Sequence, residues 1–169
     1  MINLSQVKER LRYSLNIFLV WISILVGSIY CPFAAAKPES NAQLIEVKHE
    51  PLTKVDLLIA PYRIEVEIAK TLKQRAEGLM FRHTLGQHQG MLFVFPSSMK
   101  YCMWMRNTFI PISVAFLDES GHILNIEDME PKTETAHCAK KSARYVLEMN
   151  KGWFDQQGIV VDRRVEGIP

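Results

Sequence analysis
The chain has 169 residues, 48% of them hydrophobic and 22% charged, which is enough for one domain with a real core. Three of its 20 basic and one of its 18 acidic residues lie in the first 36 positions, leaving 17 of each in residues 37–169. That neutral balance removes the net charge as an argument for binding nucleic acid or an anionic membrane surface.

The chain opens with Lys8, Arg10 and Arg12, followed by an uncharged, mostly apolar run from Leu15 to Tyr30 and then Ala34-Ala35-Ala36. A basic start, an apolar stretch and a small-residue cleavage pattern are the layout of a secretory signal peptide over residues 1–36. The run approaches the roughly 17–25 residues that span a bilayer, so an uncleaved anchor is the alternative. A lipid on Cys31 fits less well, because bulky Tyr30 precedes it. The remainder is expected to work in the periplasm or outside the cell, touching the membrane only through a retained leader.

Residues 37–54 are polar, contain Pro38 and Pro51, and show no sustained period, so they read as a linker or arm. One domain over residues 55–169 is the simplest partition of the rest. Ile64, Val66 and Ile68 alternate with Arg63, Glu65 and Glu67, the pattern of a half-buried strand. Thr71 with Gln74 predicts a capping box opening a short helix, with Leu72 and Leu79 on one face and Gly78 near its end. Met91 to Phe95 is a continuous apolar run, read as a strand buried on both faces and ended by Pro96. Val114–Leu117, the turn Asp118-Glu119-Ser120-Gly121 and Ile123–Ile126 predict a hairpin. Tyr145–Met149 and Ile159–Val161 read as further strands, with one or two helical turns between Gly152 and Gly158. Many short strands with one or two short helices predict a mainly β single domain, a sandwich or barrel.

Two cysteines, Cys102 and Cys138, remain beyond the leader, and an even count in an oxidising compartment predicts a disulfide. Closing a loop of about 36 residues would stabilise the fold by roughly 4 kcal/mol in the chain-entropy model. A reactive thiol pair, or metal ligation together with His137, is the rival reading; neither has CxxC spacing to support it.

Arg75 and Arg82 flank an apolar turn seven residues apart, which would put them on one side of a helix that persisted between them. A guanidinium suits bidentate capture of a carboxylate or phosphate, but equally a structural pair with an internal acid. In Tyr101–Thr108, alternation would send Cys102, Trp104 and Arg106 to one face. Asn107 fits a turn or a ligand-binding amide. His49, His83, His88, His122 and His137 are scattered without a carboxylate motif, and no metal or cofactor is expected. No phosphate loop, Gly-x-Ser-x-Gly elbow or His-Glu-x-x-His occurs.

Taken in order, these segments resemble a bacterial and archaeal family known as domain of unknown function number 192. The residues that carry the resemblance are Arg75-x-x-Gly78-Leu79-Met80-x-Arg82, Gly90-Met91-Leu92-Phe93, Trp104–Thr108, Pro111-Ile112 with Phe116-Leu117-Asp118, Gly121, Ala143–Glu148, Gly152 and Gly158-Ile159. The resemblance implies a compact, jelly-roll-like β-sandwich with a short helix, and no particular reaction. Ser113 and Asp162-Arg163 depart from the family, which often has an acid at the first position and Gly-Asp at the second. Any shared site would use Arg75, Arg82, Asn107, Arg144 and Glu148.

The leading functional expectation is therefore an exported binding or interaction module with an Arg/Asn-lined pocket for a small polar or anionic ligand, or for an envelope protein. An envelope enzyme with Glu148 or Asp118 as general base is the second. A structural domain whose arginines pair internally is the third.

Overall fold
A computed structural model describes residues 51–169; the leader and most of the linker lie outside them. Eight strands follow in chain order: β1 (Lys54–Ile59), β2 (Tyr62–Ala69), β3 (Gln89–Met99), β4 (Cys102–Met103), β5 (Ile112–Leu117), β6 (Ile123–Met129), β7 (His137–Cys138) and β8 (Ala143–Asn150). Two short helices, α1 (Leu72–Glu77) and α2 (Trp153–Gln156), complete the domain. Six strands form one sheet in the order β1-β2-β3-β8-β5-β6, while β4 and β7 pair separately. The domain is mainly β and sandwich-like, as expected.

All ladders of the large sheet are antiparallel except β2 with β3, the pair connected through α1. The two edges of the sheet meet the same C-terminal stretch. Leu58 of β1 exchanges two backbone hydrogen bonds with Glu166, at 3.0 and 2.8 Å. At the other edge, Val165 N–H donates to the Gly121 carbonyl and Ile123 N–H to that of Arg163.

Alternation along the strands fills two apolar layers. Leu92, Ala115, Leu117, Leu147 and Met149 join Ile64, Val66, Trp153 and Phe154 in one. Met91, Phe93, Ile112, Val114, Phe116 and Val146 join Leu79 and Met105 in the other. The continuous run in β3 is explained by this, since both of its faces are buried. β3 continues past Pro96 because its ladder with β8 is irregular between Val94 and Met99, so the missing proline N–H breaks no regular pairing there. Gly90 is required by close approach: a Cβ would lie 2.4 Å from both the Glu148 carbonyl oxygen and the Met149 sulfur.

α1 opens with the expected capping box. Thr71 Oγ1 accepts from Gln74 N–H at 3.2 Å, and Gln74 Oε1 accepts from Thr71 N–H at 3.0 Å. The helix stops at Glu77, so Leu72 and Leu79 do not share a helical face: Leu72 is 79% exposed and Leu79 is 2% exposed. Arg75 and Arg82 are likewise not two turns apart on one helix. Ile159–Val161 is not a strand. Ile159 N–H closes onto the Phe154 carbonyl at the end of α2, and Arg163 N–H turns back to Val160.

Candidate functional site
Cys102 and Cys138 lie directly opposite each other in the β4–β7 ladder and are joined as a disulfide. This two-stranded piece is fastened to the large sheet by buried Asn125 of β6. Its Nδ2 donates to the Cys138 carbonyl and to Glu127 Oε1, both at 3.2 Å, and its Oδ1 accepts from Lys140 N–H at 3.0 Å. His137 adds a contact between Nδ1 and Glu127 Oε2 at 3.0 Å.

Between the β4 side of this two-stranded piece and the sheet lies a cavity of about 130 Å³. α1 and the turn after it supply Arg75, Glu77, Gly78 and Leu79; β3 supplies Phe93 and Phe95; β4 and the residue after it supply Cys102, Met103 and Trp104. Glu148 and Thr108 complete the lining. Glu148 is held at the centre of β8, opposite Met91 on one side and Val114 on the other, so alternation points it into the second apolar layer. It is 4% exposed and Thr108 is 5% exposed. Neither side chain makes a hydrogen bond or ion pair among the described residues, and no polar side-chain atom is sealed off there without a partner, so their oxygens stay open to the cavity. Burial alone pushes the Glu148 carboxyl up to about 8, because the charged form loses its hydration without gaining a counter-charge.

Arg75 stands at the same cavity. One terminal nitrogen donates to the carbonyls of Lys70 and Val94, the latter at 3.0 Å, and its guanidinium lies 5.3 Å from the Phe95 ring centroid. Phe95 is stacked in turn on Tyr101 at 3.6 Å. Trp104, 48% exposed, carries Arg106 over its ring at 5.8 Å, so these two do share a side.

The other sequence-predicted residues go elsewhere. Arg82 forms a bidentate pair with Glu67, in a separate hollow of about 510 Å³ that also includes Lys54 and Lys73. Lys54 there pairs with Glu65 at 2.8 Å. Asn107 has a left-handed backbone (φ 58°), and its carbonyl accepts from Phe81 N–H at 2.9 Å, the turn geometry that asparagine favours. Arg144 lines neither cavity. Ser113, the departure from the family pattern, is buried; it donates to Asp128 and accepts from Gly152 N–H at 2.7 Å, fixing the start of α2. Asp118 closes the β5–β6 turn by accepting from Ser120 and His122 N–H groups. His83 packs on Phe109, and His88 Nδ1 accepts from Trp153 Nε1 at 3.4 Å.

The family profile of an uncharacterised group, described as "Uncharacterized ACR", matches residues 55–167. The chain belongs to the DUF192 family. Among solved structures, this DUF192 domain is similar to a "putative transcription regulator" (R01717) from Sinorhizobium meliloti 1021. That match has 32% identity and a TM-score of 0.66, covering 70% of this chain and 96% of the other. It is also similar to a protein of unknown function from Novosphingobium aromaticivorans DSM 12444, with 32% identity and a TM-score of 0.64, covering 72% and 89%. No curated protein matches it.

Of the DUF192 residues singled out from sequence, Arg75 and Glu148 therefore share one cavity. Thr108 and the aromatic walls were missed as site residues. Thr108 carries no sequence signal, since a threonine after a turn is ordinary. Glu148 had one: an acid inside the otherwise uncharged run Tyr145–Met149, in a strand whose neighbours are buried on both faces.

Proposed function
We propose that this DUF192 domain is an exported binding module whose site is the cavity between the disulfide-linked β4–β7 pair and the large sheet. One observation carries the reading: two side chains more than nine-tenths buried, Glu148 and Thr108, line that cavity with no partner among the described residues. Their oxygens are open to the cavity and uncommitted within the protein, so a ligand there can supply their hydrogen bonds. Support for export comes from the leader-like residues 1–36 and from the disulfide. Direct binding of nucleic acid gains no support from the 17:17 charge balance of residues 37–169.

The test is a thermal-shift screen of metals, anions, amines, amino acids and envelope fragments against the wild type and Glu148→Gln. A saturable rise in Tm that the variant loses supports the site, since a ligand at about 100 times its Kd adds about 2.7 kcal/mol. A flat response across the panel, or one identical in both proteins, overturns it. The raised carboxyl also favours a second reading, an envelope enzyme with Glu148 as general acid, because such a group must hold its proton near neutral pH. Turnover of a ligand found in the screen, lost in Glu148→Gln with the fold intact, would establish that reading.

A further inference from the structure
We infer that the cavity takes a small zwitterion of the amino-acid class, with its ammonium group on Glu148 and Thr108 and its carboxylate on Arg75. This rests on the reading of the cavity as a binding site and adds the chemistry of what enters it. At about 130 Å³ the space is well below the roughly 300–1,000 Å³ of drug-sized sites, so it suits a molecule of a few heavy atoms.

Its polar groups are sorted. The inner acceptors are a carboxyl and a hydroxyl, and no cation neutralises the carboxyl there: burial is the cause of its shift, with no opposing charge. An ammonium group brings three donors and the missing charge. Arg75 has one terminal nitrogen committed to the Lys70 and Val94 carbonyls, while its Nε and second terminal nitrogen have no partner among the described residues. That remaining edge is the fork that accepts a carboxylate through two parallel bonds. Contact with Phe95 and two main-chain anchors hold the fork in place, so little side-chain freedom is lost on binding. Phe93, Phe95 and Met103 supply apolar wall for the ligand's carbon atoms.

The pH dependence has a definite sign. Ionisable side chains around Glu148 come from α1 alone, namely Arg75 and Glu77. The strands beside it present Met91 and Phe93 from β3 and Val114 and Phe116 from β5. An ammonium ligand needs ionised Glu148, so affinity should climb about tenfold per pH unit from about pH 6 to about pH 8 and then level off. A ligand that only accepts a hydrogen bond from the protonated acid would show the reverse.

The experiment is calorimetric titration of protein produced from the full-length chain with L-valine, with isobutylamine (valine without its carboxylate) and with isovalerate (valine without its ammonium group). Valine is expected to bind at least about tenfold more tightly than either half, a difference of about 1.4 kcal/mol. Glu148→Gln, Thr108→Val and Arg75→Lys, each checked for an unchanged fold by circular dichroism, should reduce valine to the affinity of its halves. Either half binding as tightly as valine overturns the zwitterion while leaving the cavity a binding site. Silence from all three compounds also overturns it; the binding-site reading falls separately, only if the broad panel is silent too. Should Glu148→Gln fail to fold, Arg75→Lys and Thr108→Val carry the same decision.

Discussion

Glu148 lies directly across from Val114 in one ladder and Met91 in the other, placing an ionisable carboxyl between two apolar neighbours in the middle of a six-stranded sheet. A chain that needed only stability would place a valine or leucine there. The carboxyl weakens the fold whenever it is ionised, and the direction of that effect is measurable.

The folded carboxyl titrates at about 8, against an ordinary value of 4.5, so the folded state holds more protons than the unfolded state between those limits. Stability should then fall as pH rises from about 4.5 to about 8 and flatten above, by a total on the order of 5 kcal/mol at most. Denaturant unfolding at pH 5, 7 and 9 measures this. Glu148→Gln should remove most of the slope, lie nearest to wild type at pH 5 and be the more stable protein at pH 9. Equal slopes in both proteins would contradict the assignment.

The Arg82–Glu67 pair is half-buried and bidentate and does not line the Glu148 cavity, although the two hollows share Glu77, Gly78 and Met80 as a wall. Arg82→Met should cost about 1–2 kcal/mol in urea unfolding, within the range for charged hydrogen bonds after allowance for solvent exposure. Ligand affinity at the Glu148 cavity should be unchanged. A large loss of affinity with full stability would move the binding role to Arg82.

Asn125 holds the disulfide-linked β4–β7 pair through two hydrogen bonds made by a buried amide, to the Cys138 carbonyl and from Lys140 N–H. Asn125→Ala should cost about 2–3 kcal/mol, because the Cys138 carbonyl and Lys140 N–H lose their partner. Thermal unfolding measures the loss, and binding at the cavity should weaken with it, since Cys102, Met103 and Trp104 form one wall.

Replacing both cysteines by serine should lower stability by about 2–4 kcal/mol, the usual range for a disulfide closing a loop of this length. The wild type should show the same drop on reduction, and the double variant should not respond to reductant.

Asn107 separates two readings of one residue. With φ at 58°, Asn107→Gly should leave both stability and ligand affinity near wild type, while Asn107→Ala should cost about 1 kcal/mol. Loss of ligand affinity in the glycine variant, at unchanged stability, would make the side-chain amide part of the site.

Local signals in the sequence translated well into structure. The capping box, the alternation of residues 63–68, the Asp118–Gly121 turn and the doubly buried run in β3 depend on neighbours within a few residues. The cysteine pairing matches the expectation from their even number. What the sequence did not carry was set by register between distant strands. Nothing near Arg82 announces Glu67, which faces it because β2 and β3 flank the same turn region. The cavity is lined jointly by the β4 segment and by Glu148 of β8, so Thr108 and Trp104 gain their meaning from a residue forty or more positions away. Ile159–Val161 shows the opposite failure: three β-branched residues promise a strand, but closure of α2 onto Ile159 takes the backbone first.

The short stretch from Arg163 to Glu166 works as a clasp on the whole sheet. Cutting the chain before it would release both outer strands at once, each with a row of unpaired amides and carbonyls open to another molecule. Shortened versions of this protein should therefore self-associate long before their cores melt, and purification tags belong where they leave that clasp closed.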